Sequence, residues 1–300
     1  MVSGADFRDT TGIISIIEIT ENGIELLREI TIEHPHPKPS EKGKGITGLV
    51  FDANSNNVWA NFSNVTVNID LLDECIVEQI SNDNFNDLHD LSLHNDKLIS
   101  VNSGNESIDI IDCKSKEIQR IDLLSPDLQN RKPKVTMFSS TKPHLHHISS
   151  ACYNAKNELI VGFFKQQRIL NIDNWSQIGL RMNSPVHDIQ IHGDEVYWTT
   201  VCGKVFSSFD EEPIINLEDY CDEIGWSRGL YLIDDYAVIG TTALRDSNSK
   251  FYSVLTGKKP SGVGAKISML DIKKKKLVSE LELPNSQFRK VYSIIGFDAN

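Results

Sequence analysis

The hydrophobic pattern along the chain has a short period. In HDLSLHNDKLIS (His89 to Ser100) and HDIQIHGDEVYW (His187 to Trp198), apolar residues fall at alternate positions on either side of a brief polar turn. That is the spacing of half-buried β-strands joined by hairpins. Both segments also carry His, Asp, His and Asp at the same offsets, so one structural unit is written twice. Looser copies are TGLVFDANSNNVWANF from Thr47, HHISSACYNAKNELIVGFF from His146 and RGLYLIDDYAVIGTT from Arg228. The copies lead into two further short runs, as SIDIIDC and EIQRIDL follow the copy at His89. Nothing in the chain carries a long helical stripe.

Four short strands in roughly forty residues, repeated, are the signature of propeller blades. The ends complete the count. VYSIIGFDAN supplies a first strand, while MVSGADF, GIISIIEIT and GIELLREITI supply three more. The expectation is an all-β, six-bladed β-propeller of four-stranded antiparallel blades. It forms one domain over residues 1–300, and its last blade is built from 1–32 with 288–300. Pairing the C-terminal strand with the N-terminal strands removes the free edges that invite aggregation.

Composition narrows the partners. A formal net charge of −12 speaks against nucleic acid and against an anionic membrane surface, both of which need clustered positive charge. A small-molecule substrate or a protein partner remains. The five cysteines are odd in number, scattered and without a CxxC pair, and read as reduced thiols rather than a disulfide frame or zinc ribbon. No basic-then-apolar leader and no spanning run is visible, so a cytoplasmic location is the default expectation.

Through its HD(L/I) and SRGL strand starts the chain resembles propellers of the NHL and regucalcin-like group, and more specifically an uncharacterised bacterial propeller family. The resemblance runs over the whole chain and implies the fold. The Trp-Asp ending of WD40 blades is absent, and histidines stand where regucalcin-type propellers place metal-binding carboxylates.

In propellers the starts of the innermost strands ring one mouth of the central channel. Aligning the six first strands on Leu49, Leu91, Ile148, Ile189, Leu230 and Ile294 puts Thr47, His89, His146, His187, Arg228 and Tyr292 two residues earlier, facing that mouth. His89, His146 and His187 then converge from three successive blades. Three imidazoles on rigid strands suit a divalent metal, zinc first, with iron, manganese or copper also accommodated. A metal-bound water would supply a nucleophile or base, Arg228 would hold an anionic group, and Tyr292 would move a proton. Asn102, Lys165 and Trp226 join Thr47 as substrate-binding candidates on the rim, with Arg245 in an overhanging loop. His144 is an auxiliary ligand candidate. Asp90 and Asp188 alternate away from the channel, and His94 and His192 fall on the opposite face.

Three readings of the histidines stay open at this point: a metal site, a metal-free pocket, and structural repeat marks. The constellation is similar in kind to the three-histidine zinc site of peptidyl-hydroxyglycine amidating lyases, which are six-bladed propellers with a catalytic Arg and Tyr. That resemblance implies zinc on His89, His146 and His187, with Arg228 and Tyr292 beside the substrate. Two functions follow. One is a metal-assisted lyase, hydrolase or isomerase acting on a small polar or carboxylated metabolite. The other is a non-catalytic module that captures a protein segment or glycan.

The long segments 33–45, 125–145 and 243–264 are expected to overhang the same face. GWSRG (Gly225 to Gly229) fits GxSxG, but a strand follows it where a nucleophile elbow needs a helix. Lys273 to Lys276 read as a solvated hairpin turn.

Overall fold

A computed structural model describes residues 1–36, 44–131, 136–137, 144–221, 224–244, 249–250, 252–254, 257 and 263–297. Six four-stranded antiparallel sheets follow one another around an axis. Blades one to five span 48–80, 88–122, 148–178, 186–216 and 226–282. In the sixth, Arg289–Ile294 pairs with Val2–Asp6, which pairs with Gly12–Thr20 and then Gly23–Ile32. Val2 stands opposite Ile294, and Ile295 N–H donates to the Met1 carbonyl at 2.9 Å. The expected closure is therefore present.

Each first strand touches the first strands of both neighbouring blades, which closes the inner ring. Outer strands such as Cys75–Ile80 alternate between exposed and half-buried residues. The core is divided among the seams between blades. Ile14, Ile30, Val58, Phe62 and Val67 fill the seam between blades six and one, and Trp198 with Ile160, Ile169 and Val186 fills that between three and four. Fully burying one such side chain contributes about 1.5–3 kcal/mol, so each seam is stabilised by a handful of large residues.

Several first strands are irregular, although Gly48–Asp52 pairs without a shift. Pairing registers shift between Leu88 and Leu91, Ile148 and Ser150, His187 and Ile189, and Ser227 and Leu230. Such β-bulges bend the strand and re-aim its side chains. In blade five the bulge uses Gly229 at φ 78°, where an added Cβ would lie 2.6 Å from Ile294. A positive φ and a close neighbour together demand glycine there.

Ser227 of GWSRG lies inside the strand Trp226–Ile233, as the strand reading expects. The lysines at 273–275 form the turn between Lys266–Asp271 and Lys276–Glu282. No helix among the described residues is long and apolar enough to cross a membrane.

Candidate functional site

At one mouth of the axis lies a cavity of about 450 Å³. Thr47, His89, Arg228 and Tyr292 reach it from four first strands or their approaches, and Lys165 and Trp226 line it as well. Lys44, His144, Ala243 and Leu244 come from the ends of the long loops, so those loops do border this face. Arg245 lies outside the described residues.

The histidine ring differs from the expected one. Ile148 pairs with Phe163 as Leu88 pairs with Asn102 and Val186 with Thr200. Ser149, not His146, therefore takes the step of His89 and His187, and small Ala151 is the counterpart of Leu91 and Ile189. The bulge breaks the alternation on which the alignment relied, and the only large apolar residue at that strand start, Ile148, is one step too early. His146 consequently turns from the cavity, its ring 5.5 Å from Phe163 and its Nδ1 hydrogen-bonded to the Gln166 amide. His147 faces the cavity instead.

Four imidazoles then touch in series. Ring centroids lie 4.5 Å apart for His144 and His147, 5.3 Å for His147 and His89, and 5.4 Å for His89 and His187. His187 sits behind the cavity wall, 1% exposed, against Phe164 and His89. Its Nε2 has no hydrogen-bond partner among the described residues. Asn102 is also withdrawn from the cavity. It is fully buried and donates to the Asn84 carbonyl and to Asp109, a carboxylate that Arg120 grips with two nitrogens.

Several wall residues carried no repeat signal: Phe7, Lys44, Asp87, Phe164 and Lys290. Asp87 was accessible in principle, since it lies two residues before His89. Its carboxylate meets Lys44 Nζ at 2.9 Å through Oδ1 and His144 Nε2 at 3.3 Å through Oδ2. Ligand atoms of Asp87, His144 and His147 all lie within 4.8 Å of one another, whereas His89, His146 and His187 are not brought together as a set.

The charge of the cavity opposes that of the chain. Lys44, Lys165, Arg228 and Lys290 face it with Asp87 as the one carboxylate on its walls among the described residues. Arg228 lies over the Tyr292 ring at 4.9 Å and the Trp226 ring at 5.9 Å, and its buried Nε has no hydrogen-bond partner among the described residues. Lys290 Nζ donates to the Tyr292 hydroxyl at 3.1 Å.

These contacts set the protonation states. Burial, then the charge of Arg228, lowers the His89 imidazole to about 3, and burial first also holds His147 and His187 well below the usual range. All three are neutral at pH 7. For Tyr292 burial pushes upward but is outweighed by Lys290 and Arg228, leaving the phenol lowered from its ordinary value. Burial likewise opposes ionisation of Asp87, yet Lys44 and His144 hold it well below the carboxylate range.

Deeper along the axis, Asp90 and Asp188 line a smaller space of about 150 Å³ with Leu49, Leu91 and Ile294. They face the channel interior rather than away from it, because the bulge turns them inward, Asp188 at φ 44°. Burial raises Asp90 to about 6, and burial with the neighbouring Asp90 raises Asp188 to about 7.

No family model and no curated protein matches the sequence. Solved structures do share the architecture. A protein of unknown function from Bacteroides caccae is 11% identical over 97% of this chain and 96% of its own, with a TM-score of 0.61. The WD40 β-propeller domain of Doa1 is 10% identical over 97% and 82%, with a TM-score of 0.54. A streptogramin B lyase is 12% identical over 84% and 72%, with a TM-score of 0.51. At such identities the likeness establishes the fold: the chain is a six-bladed β-propeller.

Proposed function

We propose that this propeller is an enzyme of the lyase, hydrolase or isomerase type that binds a small carboxylated metabolite in the histidine-lined cavity. The observation that carries the reading is Arg228. It is a guanidinium stacked on two aromatic rings, with no carboxylate within ion-pair distance among the described residues, in a cavity that three lysines also face. A half-buried guanidinium is the side chain best matched to a carboxylate, which it can hold with two parallel hydrogen bonds.

Tyr292 supplies the proton chemistry. A phenol held below its usual range by two cations is a competent base beside a carboxylate anchored on Arg228. Neutral His89, its ring edge-on to Tyr292 at 6.4 Å between centroids, packs beside the phenol without adding a charge. Phe164 and Trp226, stacked at 6.0 Å, wall the site and lower its dielectric, which strengthens both effects. The streptogramin B lyase among the similar folds supports lyase chemistry on such a scaffold by analogy of architecture only.

The test is thermal denaturation of the full chain against a panel of small mono- and dicarboxylates, with chloride salts matched for ionic strength. At least one carboxylate raises the melting temperature of the wild type and not of Arg228→Ala. Stabilisation by none of them, with capture of a peptide or glycan on the same face, would establish the binding-module reading instead.

A further inference from the structure

The cavity holds a second kind of chemistry, at the wall formed by Asp87, His144 and His147. His144 Nδ1 lies 3.2 Å from the Ser103 carbonyl oxygen. A carbonyl only accepts, so Nδ1 carries the proton. In the neutral ring the lone pair is then on Nε2, and Nε2 points at Asp87 Oδ2 across 3.3 Å. Two lone pairs facing one another require a cation between them, either a second proton on His144 or a metal. The choice is made by the third group. A ring nitrogen of His147 lies within 4.8 Å of a ligand atom of each of these two residues, and among the described residues that ring makes aromatic contacts and no hydrogen bond. A proton on His144 pairs it with Asp87 alone, whereas a metal also engages the ring nitrogen of His147.

We infer that Asp87, His144 and His147 form a binding site for a divalent transition metal, open on its remaining side to the cavity. Two nitrogens and one carboxylate oxygen suit zinc, cobalt, manganese or ferrous iron rather than calcium or magnesium. With the three ligand atoms all within 4.8 Å of one another, a common point lies no more than about 2.8 Å from each, so each ligand moves inward by at most about 0.7 Å to reach an ordinary metal bond of ~2.0–2.1 Å. Rotation about side-chain bonds covers that distance.

The supporting contacts are those of a ligand set held in advance. The Ser103 carbonyl fixes the tautomer and tilt of His144, the usual arrangement behind a metal-bound imidazole. Lys44 engages Asp87 through Oδ1 at 2.9 Å and leaves Oδ2 for the metal. Fully buried Glu106 accepts hydrogen bonds from the backbone N–H groups of Leu145, His146 and His147, at 2.6, 3.1 and 2.9 Å. It thereby ties down the segment that presents both histidines.

The inference deepens the reading above, on which any use of the metal in turnover rests, while the binding itself does not. The full chain is purified without a histidine tag, stripped with a chelator and titrated with Co²⁺, followed by its visible d–d absorption and by competition with Zn²⁺. One equivalent binds with a nitrogen-and-oxygen ligand spectrum. Asp87→Asn, His144→Ala and His147→Ala, each shown to be folded by circular dichroism, reduce affinity at least 100-fold, and His146→Ala and His94→Ala retain it.

A wild type that binds no Co²⁺ or Zn²⁺, or a His147→Ala protein that binds like the wild type, overturns the site. Because the wild-type titration is decisive alone, a variant that fails to fold does not rescue the inference. Carboxylate binding by metal-free protein would leave the substrate reading standing while the metal falls. Metal binding without any carboxylate binding would do the reverse.

Discussion

Asp87 and His147 occupy the same step of neighbouring blades. Ser103 N–H donates to the Asp87 carbonyl and Phe164 N–H to the His147 carbonyl, both at 3.1 Å, and the two residues share a left-handed backbone, with φ 51° and 53°. Non-glycine residues in that region cost of order 1 kcal/mol or more each and persist only where surrounding contacts over-determine them. Their side chains meet on one wall of the cavity because the fold repeats.

Glu106 is the contact that over-determines His147. Glu106→Gln retains one acceptor oxygen but turns an amide NH₂ toward backbone donors. Its loss of stability is expected at about 1–3 kcal/mol, read from urea denaturation, and Co²⁺ affinity falls although Glu106 is not one of the three ligands. Unchanged stability and affinity would show that the segment is held by other means.

Arg228 acts on two partners at once. Arg228→Ala weakens binding of a carboxylate that stabilises the wild type by about 10–100-fold, the worth of one charge-assisted contact of about 1.5–3 kcal/mol, measured by calorimetry. The same change removes the charge that, after burial, depresses the His89 imidazole. The His89 ring therefore titrates at higher pH in the variant, as followed by NMR. An unmoved His89 would place the guanidinium elsewhere.

The pH dependence of stability has two opposing parts. Folded His89 titrates near 3 against an ordinary 6.5, so between those values the unfolded chain binds more protons and the fold weakens as pH falls. Asp90 and Asp188 titrate near 6 and 7 when folded. Since free aspartate titrates at about 3.9, their contribution is unfavourable at pH 8 and disappears as pH falls toward 4. Asp188→Asn is accordingly more stable than the wild type at pH 8, with the advantage gone near pH 4. Urea midpoints at pH 8, 6 and 4.5 measure it, and a variant less stable at pH 8 contradicts the assignment.

Closure of the ring rests on the seam between blades six and one. Phe62 is fully buried there, and a Cβ added at Gly12 would lie 2.9 Å from its ring. Phe62→Ala removes the ring and leaves a cavity at a cost of about 3–5 kcal/mol. Trp198→Ala, in the seam between blades three and four, should cost a similar amount if the two seams contribute alike. A Phe62 variant with near wild-type stability would mean that the other apolar side chains of this seam hold it without the ring.

The blade count and the closure were legible in the chain because strand alternation and the repeated His-Asp starts survive in linear order. Part of the cavity was legible for the same reason: Thr47, His89, Arg228 and Tyr292 sit at repeat positions. His146 was misplaced because HHISSACY offers Ile148 as an obvious apolar anchor while the true counterpart of Leu91 is Ala151, too small to stand out, and because a bulge resets the alternation between them. Lys44 comes from a loop end, where no repeat operates, while His144, from another loop end, was legible only as an auxiliary ligand through its place beside His146. Lys290 and Phe164 needed a three-dimensional neighbour, Tyr292 for the one and Trp226 for the other, to give them meaning.

The bulges at the strand starts make the mouth of the channel adjustable independently of the blades. Inserting, deleting or sliding one residue at such a step exchanges the side chains presented to the cavity, as blade three presents His147 where blade two presents Asp87, without disturbing the hairpin that follows. A propeller built this way can acquire a new ligand set one blade at a time, and its binding chemistry can diverge while the scaffold stays the same.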